Sequence, residues 1–122
     1  MIPYKQEIIG KLTIIRFICT TTSSVNAAKF KDYLFHLHEY TDGKIIIDLK
    51  DILFIDSAFI GAMVVYFKHY KNRNHKAKIV CGKSNGDIWE MFVTTKSFRD
   101  MNCYDSLEDA LIDFNLELEK VA

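Results

Sequence analysis

The sequence predicts an α/β fold, with a mixed, mostly parallel sheet of about five strands and about four helices packed on it. Two observations carry that prediction. "KIIIDL" (Lys44–Leu49) and "AKIVCG" (Ala77–Gly82) are short, continuous apolar runs bounded by turn residues, as expected of strands covered on both faces. Around them lie longer stretches whose apolar residues recur at helical spacing, and strands separated by helices require right-handed crossovers.

Taken in order, Tyr4 to Ile9 reads as a strand, Gly10-Lys11 as a turn, and "LTIIRFIC" (Leu12–Cys19) as its hairpin partner, rich in β-branched and aromatic residues. "TTTSS" (Thr20–Ser24) favours local backbone hydrogen bonds and a helix cap. From Ser24 to about Glu39, Phe30, Tyr33, Leu34, Leu37 and Tyr40 mark one helical face, and Asp42-Gly43 ends that helix. The Lys44–Leu49 strand follows. A helix from Ser57 to about Tyr70 is apolar nearly all round in its first three turns, so it has to be heavily buried. After the Ala77–Gly82 strand, Asp87 can cap a short helix through Phe92, and Asp100 to Tyr104 reads as a short last strand. Ser106 and Asp109 resemble a capping box for a final helix with an apolar stripe at Leu107, Ala110, Leu111, Phe114, Leu118 and Val121.

A chain of 122 residues fits one domain, residues 1–122. Sixteen basic residues balance sixteen acidic ones, which argues against a partner recognised through bulk charge: neither nucleic acid nor an anionic membrane is a direct partner. Cys19, Cys81 and Cys103 are odd in number and far apart, which suggests reduced, buried thiols in a cytoplasmic protein. The N-terminal "MIPYKQEIIGK" lacks the apolar core of a signal peptide, and no apolar run has the length of a membrane span.

Catalytic chemistry finds little support. His36 and His38 stand two apart on a helix and point to different faces, while His69 and His75 sit in a charged region, so no metal site is expected. There is no phosphate-binding glycine loop and no nucleophile elbow. Asp48 closes a strand as the phospho-acceptor of a response regulator does. The paired acids such a domain needs after its first strand are replaced here by "CTTTSS".

What remains is Asp56-Ser57, at the break between the loop "DILFI" and the buried helix. Aspartate is a good N-cap and serine is ordinary at the first helical position, so the pair reads equally as a cap and nothing more. The whole segment "IIIDLKDILFIDSAFIGAMVV" resembles the STAS domain, in particular bacterial anti-sigma-factor antagonists. In that family an apolar strand and a short acidic loop lead into a D-S-[ST]-G-L-G-like turn and a buried helix. "AKIVCGKSNGDIWEMFVTTKSF" and "YDSLEDAL" resemble the family's following strand, short helix and last helix start, so the likeness covers nearly the full chain.

The resemblance implies a single non-catalytic STAS-like domain that binds an anti-sigma serine kinase and is released by phosphorylation of the serine after the motif aspartate, here Ser57. The chain itself would carry no cofactor, because ATP and magnesium belong to the kinase. Asp56, Ser57, Ala58 and Phe59, with Thr22 and Ser23 from the neighbouring loop, would form the partner surface. Ala58 replaces the family's second small hydroxyl, Phe59 its glycine, and the threonines and serines from Thr20 its Gly-x-x-Asp; Gly61 agrees. Phe59 reads either as a hydrophobic anchor for a partner or as a core residue of a slightly rotated helix. Two alternatives stay open: a scaffold in a larger signalling assembly, or an accessory subunit of a transport or lipid-trafficking ATPase. A homodimer is compatible with each.

Overall fold

The computed structural model describes residues 4–17, 24–41, 44–52, 55–70, 77–81, 90 and 103–121, with side chains of 4, 24–26 and 115–121 left out of the description. A hairpin opens the fold. β1 (Tyr4–Ile9) and β2 (Leu12–Phe17) pair antiparallel from Ile9 opposite Leu12 to Tyr4 opposite Phe17. The two-residue turn between them needs a positive φ, and Gly10 supplies it at +59°. From β2 onward every pairing is parallel: β2 with β3 (Ile45–Asp48), β3 with β4 (Lys78–Val80), and β4 with β5 (Cys103–Tyr104). The strand order is simply β1-β2-β3-β4-β5, so the sheet is mixed with one antiparallel edge, as expected.

Among the described residues there are three helices: α1 (Ser24–Thr41), α2 (Ser57–His69) and α3 (Leu107–Val121). The short helix expected from Asp87 to Phe92 lies, apart from Glu90, outside the described residues.

Side chains alternate across the sheet, and the two faces carry different cores. Ile15, Phe17, Ile45, Ile47 and Ile79 point to one face, where they meet Phe30 and Leu34 of α1 and Phe59, Met63 and Phe67 of α2. Ile14, Ile46 and Val80 point to the other, where Ala110 and Phe114 of α3 cover them. α1 and α2 are further joined by rings and polar tips. Tyr66, fully buried, reaches His38 Nδ1 with its hydroxyl at 2.7 Å, and burial holds that phenol far above the usual tyrosine range, with Tyr70 adding to the effect. The His38 ring stacks on Tyr70 at 3.5 Å, and Tyr70 donates to Glu39 Oε1 at 3.2 Å.

Asp48 is held in place by its neighbours. It is buried at the end of β3, its Oδ1 accepts the Lys50 N–H at 2.9 Å, and Arg16 Nε lies 3.8 Å from Oδ2. Arg16 also reaches Glu7 of β1 at 3.6 Å, so a charged row links three strands. Cys81 and Cys103 are free thiols. Burial pushes Cys81 up to about 12 and Cys103 up to about 11, so neither is a ready thiolate nucleophile. Cys19 lies outside the described residues.

Candidate functional site: the amino end of α2

The turn into α2 is fixed by the two isoleucines before it. Ile52 and Ile55 are both buried in the larger core, which holds the chain down on each side of the loop and delivers Asp56 to the helix start. Asp56 then has the extended backbone of an N-cap, φ −87° and ψ 166°, and its Oδ1 accepts the Phe59 N–H at 2.9 Å. The first backbone bond of the helix runs from the Ile60 N–H to the Asp56 carbonyl at 3.2 Å. Helix geometry leaves the N–H groups of the first turn without intrahelical acceptors. The aspartate takes the one at Phe59, and Ser57 and Ala58 are exposed residues.

Ser57 is exposed at the first helical position, and so is Ala58 after it. Phe59 turns the other way and is 0% exposed. Its ring stacks on Phe30 at 5.1 Å between centroids and meets Phe17 edge-on at 5.8 Å. The partner-surface reading of Phe59 is therefore corrected: this side chain is part of the core. The reason is helical pitch. Once Ser57 faces solvent, a residue two positions on, about 200° round the helix, faces the sheet.

The residues that do share the surface of Ser57 lie four and eight positions further, at Gly61 and Val65, both exposed, with Val65 50% accessible. The sequence reading named neither for the surface, although i, i+4, i+8 spacing from Ser57 was enough to find them. A Cβ at Gly61 would meet nothing within 4 Å. Thr22 and Ser23 lie outside the described residues.

One hydroxyl stands beside a carboxylate already engaged in capping, and no group of three potential metal ligands occurs among the described residues. A phosphate on Ser57 would sit over the positive end of α2, where backbone dipoles favour an anion by roughly 0.3–2 kcal/mol. No helix among the described residues is long and apolar enough to cross a membrane.

The sequence profile of the STAS domain matches residues 6–110. The chain belongs to the STAS domain family. Solved structures agree on the fold. An anti-sigma factor antagonist from Mycobacterium paratuberculosis superposes with a TM-score of 0.76 at 14% identity, over 94% of this chain and 95% of that one. A proposed anti-sigma factor antagonist from Thermotoga maritima gives 0.72 at 23% identity, over 94% and 95%. The murine anion transporter Solute Carrier 26 family member A9 gives 0.62 at 17% identity, over 90% of this chain but 18% of the transporter. No curated protein matches the sequence.

Proposed function

We propose that this STAS domain is an anti-sigma-factor antagonist of the cytoplasm, a binding protein and not a catalyst. In this reading it docks an anti-sigma serine kinase against the amino end of α2 and is switched off by phosphorylation on Ser57, which governs sigma-factor-dependent transcription. The observation that carries the reading is the division of labour within one helical turn: Ser57 is exposed while Phe59 is locked into the core and Asp56 closes the cap. The likeness to two structures of antagonist type supports it.

Such a site separates folding from binding. The fold tolerates a phosphate at a helix N-terminus. A partner carboxylate about 5 Å away would be repelled by about 3 kcal/mol per added charge at an effective dielectric near 20. Each 1.4 kcal/mol is about tenfold in affinity, so the complex weakens a hundredfold or more. Ala58, Gly61 and Val65 border the docking surface, with Asp56 orienting the serine.

The test is a binding assay of the cognate kinase with wild type, Ser57→Ala and Ser57→Asp, together with mass spectrometry of the wild type after incubation with kinase and ATP. The expected result is phosphate on Ser57, undiminished binding by the alanine variant and weak binding by the aspartate variant. Equal binding by all three, or phosphate elsewhere, overturns the switch.

A further inference from the structure

Among the described residues, the edge strand β5 has two, Cys103–Tyr104. β1 has six, Tyr4–Ile9, and among the described residues no strand pairs with its outer side. Lys5, Gln6, Glu7, Ile8 and Ile9 are all exposed, Ile8 at 67%. A long edge strand with two exposed isoleucines is a feature that soluble proteins normally shorten, cover or use.

The hairpin decides which backbone groups point outward. In a two-residue hairpin the residues flanking the turn exchange both hydrogen bonds, and hydrogen-bonded and non-bonded pairs alternate from there. Ile9 opposite Leu12 is the flanking pair. Ile9, Glu7 and Lys5 thus direct their N–H and C=O groups to β2, and those of Ile8, Gln6 and Tyr4 point to the free edge.

A second β1 arriving antiparallel has to match this phase, so even-numbered residues pair with even. Centring the pair on Glu7 sets two carboxylates face to face, and centring it on Lys5 sets two ammonium groups face to face; both repel. Centring it on Gln6 places Lys5 opposite Glu7 of the other copy, and does so twice, with Tyr4 opposite Ile8. Lysine on an edge strand ordinarily guards against pairing. In this one register the strand's own glutamate cancels the guard. The Arg16 contact at 3.6 Å leaves the Glu7 side chain half exposed and able to accept a second cation.

We propose that β1 pairs antiparallel with β1 of a second copy of this chain, centred on Gln6, giving a two-fold symmetric dimer with one continuous sheet. The contact is isologous, so it closes at two copies. It uses an edge two strands away from β3 and the loop that leads to Ser57, so each dimer presents two free helix ends.

Sedimentation equilibrium of the 122-residue chain across the micromolar to millimolar range tests the pairing. A monomer–dimer equilibrium is expected. Glu7→Lys should weaken it about tenfold or more, since two attractive cross-strand pairs become repulsive, and adding Lys5→Glu to that variant should restore it. Gln6→Pro removes an N–H that serves only the free edge, together with the exposed side-chain acceptor of the Tyr33 hydroxyl at 3.1 Å, so it should abolish the dimer while far-UV circular dichroism stays near wild type and the urea midpoint falls only slightly. Should Gln6→Pro disturb the fold, the charge swap alone decides. A chain that stays monomeric throughout, a dimer indifferent to Gln6→Pro in a folded variant, or a charge swap that fails to restore association each overturns the proposal.

Discussion

The two faces of the sheet are held by different means. Beneath α1 and α2 lies an aromatic and aliphatic core that runs from Phe17 and Phe30 through Phe59 and Met63 to Tyr66 and Tyr70. Beneath α3 the buried cluster among the described residues is Ile14, Ile46, Val80, Ala110 and Phe114. The same face buries a charge. Lys78 of β4 is 1% exposed, and its Nζ donates to the Tyr104 hydroxyl at 3.0 Å and to Asp113 Oδ2 at 3.3 Å, while the rings of Tyr104 and Phe114 lie 5.0 and 4.9 Å away. Tyr104 in turn donates to Asp113, and its burial, followed by that bond, holds the phenol in its neutral form, against the opposing pull of Lys78. The first face combines a large apolar core with hydrogen bonds between its two helices, and the other sets a smaller apolar cluster beside a buried charge with directional contacts. The face that carries Ser57 is the one with the larger core.

The largest test of that contrast is Phe59→Ala, which should cost about 3–5 kcal/mol in urea unfolding because it empties the junction of α1, α2 and the sheet. A cost below 1 kcal/mol would mean the core closes without this ring. On the other face, Asp113→Ala should cost about 1–3 kcal/mol by removing a countercharge from beside the buried Lys78 ammonium. Asp113 is partly exposed, so water moderates the loss. Lys78→Met removes the charge along with the need for a partner and should be within about 1.5 kcal/mol of wild type. Equal losses for the two variants would show the network to be simple packing.

Smaller effects sharpen the picture at the helix end. Asp56→Ala should lower stability by about 1 kcal/mol through loss of the cap to Phe59. Gly61→Ala should raise it by about 0.5–1 kcal/mol, since the new methyl meets nothing and the backbone loses freedom only in the unfolded chain. If the alanine variant is more stable yet binds its partner less well, then the partner approaches α2 at the glycine.

These differences bear on what could be read from the residues alone. Ile45–Ile47 and Ile79–Val80 announced themselves as covered strands because they are apolar on both sides, which only a doubly covered position rewards. Gly10 marked the hairpin, Asp56 the cap, and Ser106 the start of α3, where its Oγ does accept the Asp109 N–H at 3.1 Å. All of these are local rules of the backbone. Phe59 was ambiguous because its side depends on the rotation of α2 against the sheet, which the core settles and the motif does not. Lys78 went unnoticed within "AKIVCG" because its burial is made possible by Tyr104 and Asp113, residues 26 and 35 positions away. That β1 has no outer neighbour among the described residues was equally invisible, since a strand sequence tells that it can pair but not how many neighbours it finds.

The rigid seating of Ser57 has a kinetic corollary. If Ser57 is phosphorylated as proposed, a hydroxyl on a helix anchored through Phe59 and Asp56 would work as a token read at the surface and not as a lever. The speed of the proposed response would then be set by how fast partners arrive and leave.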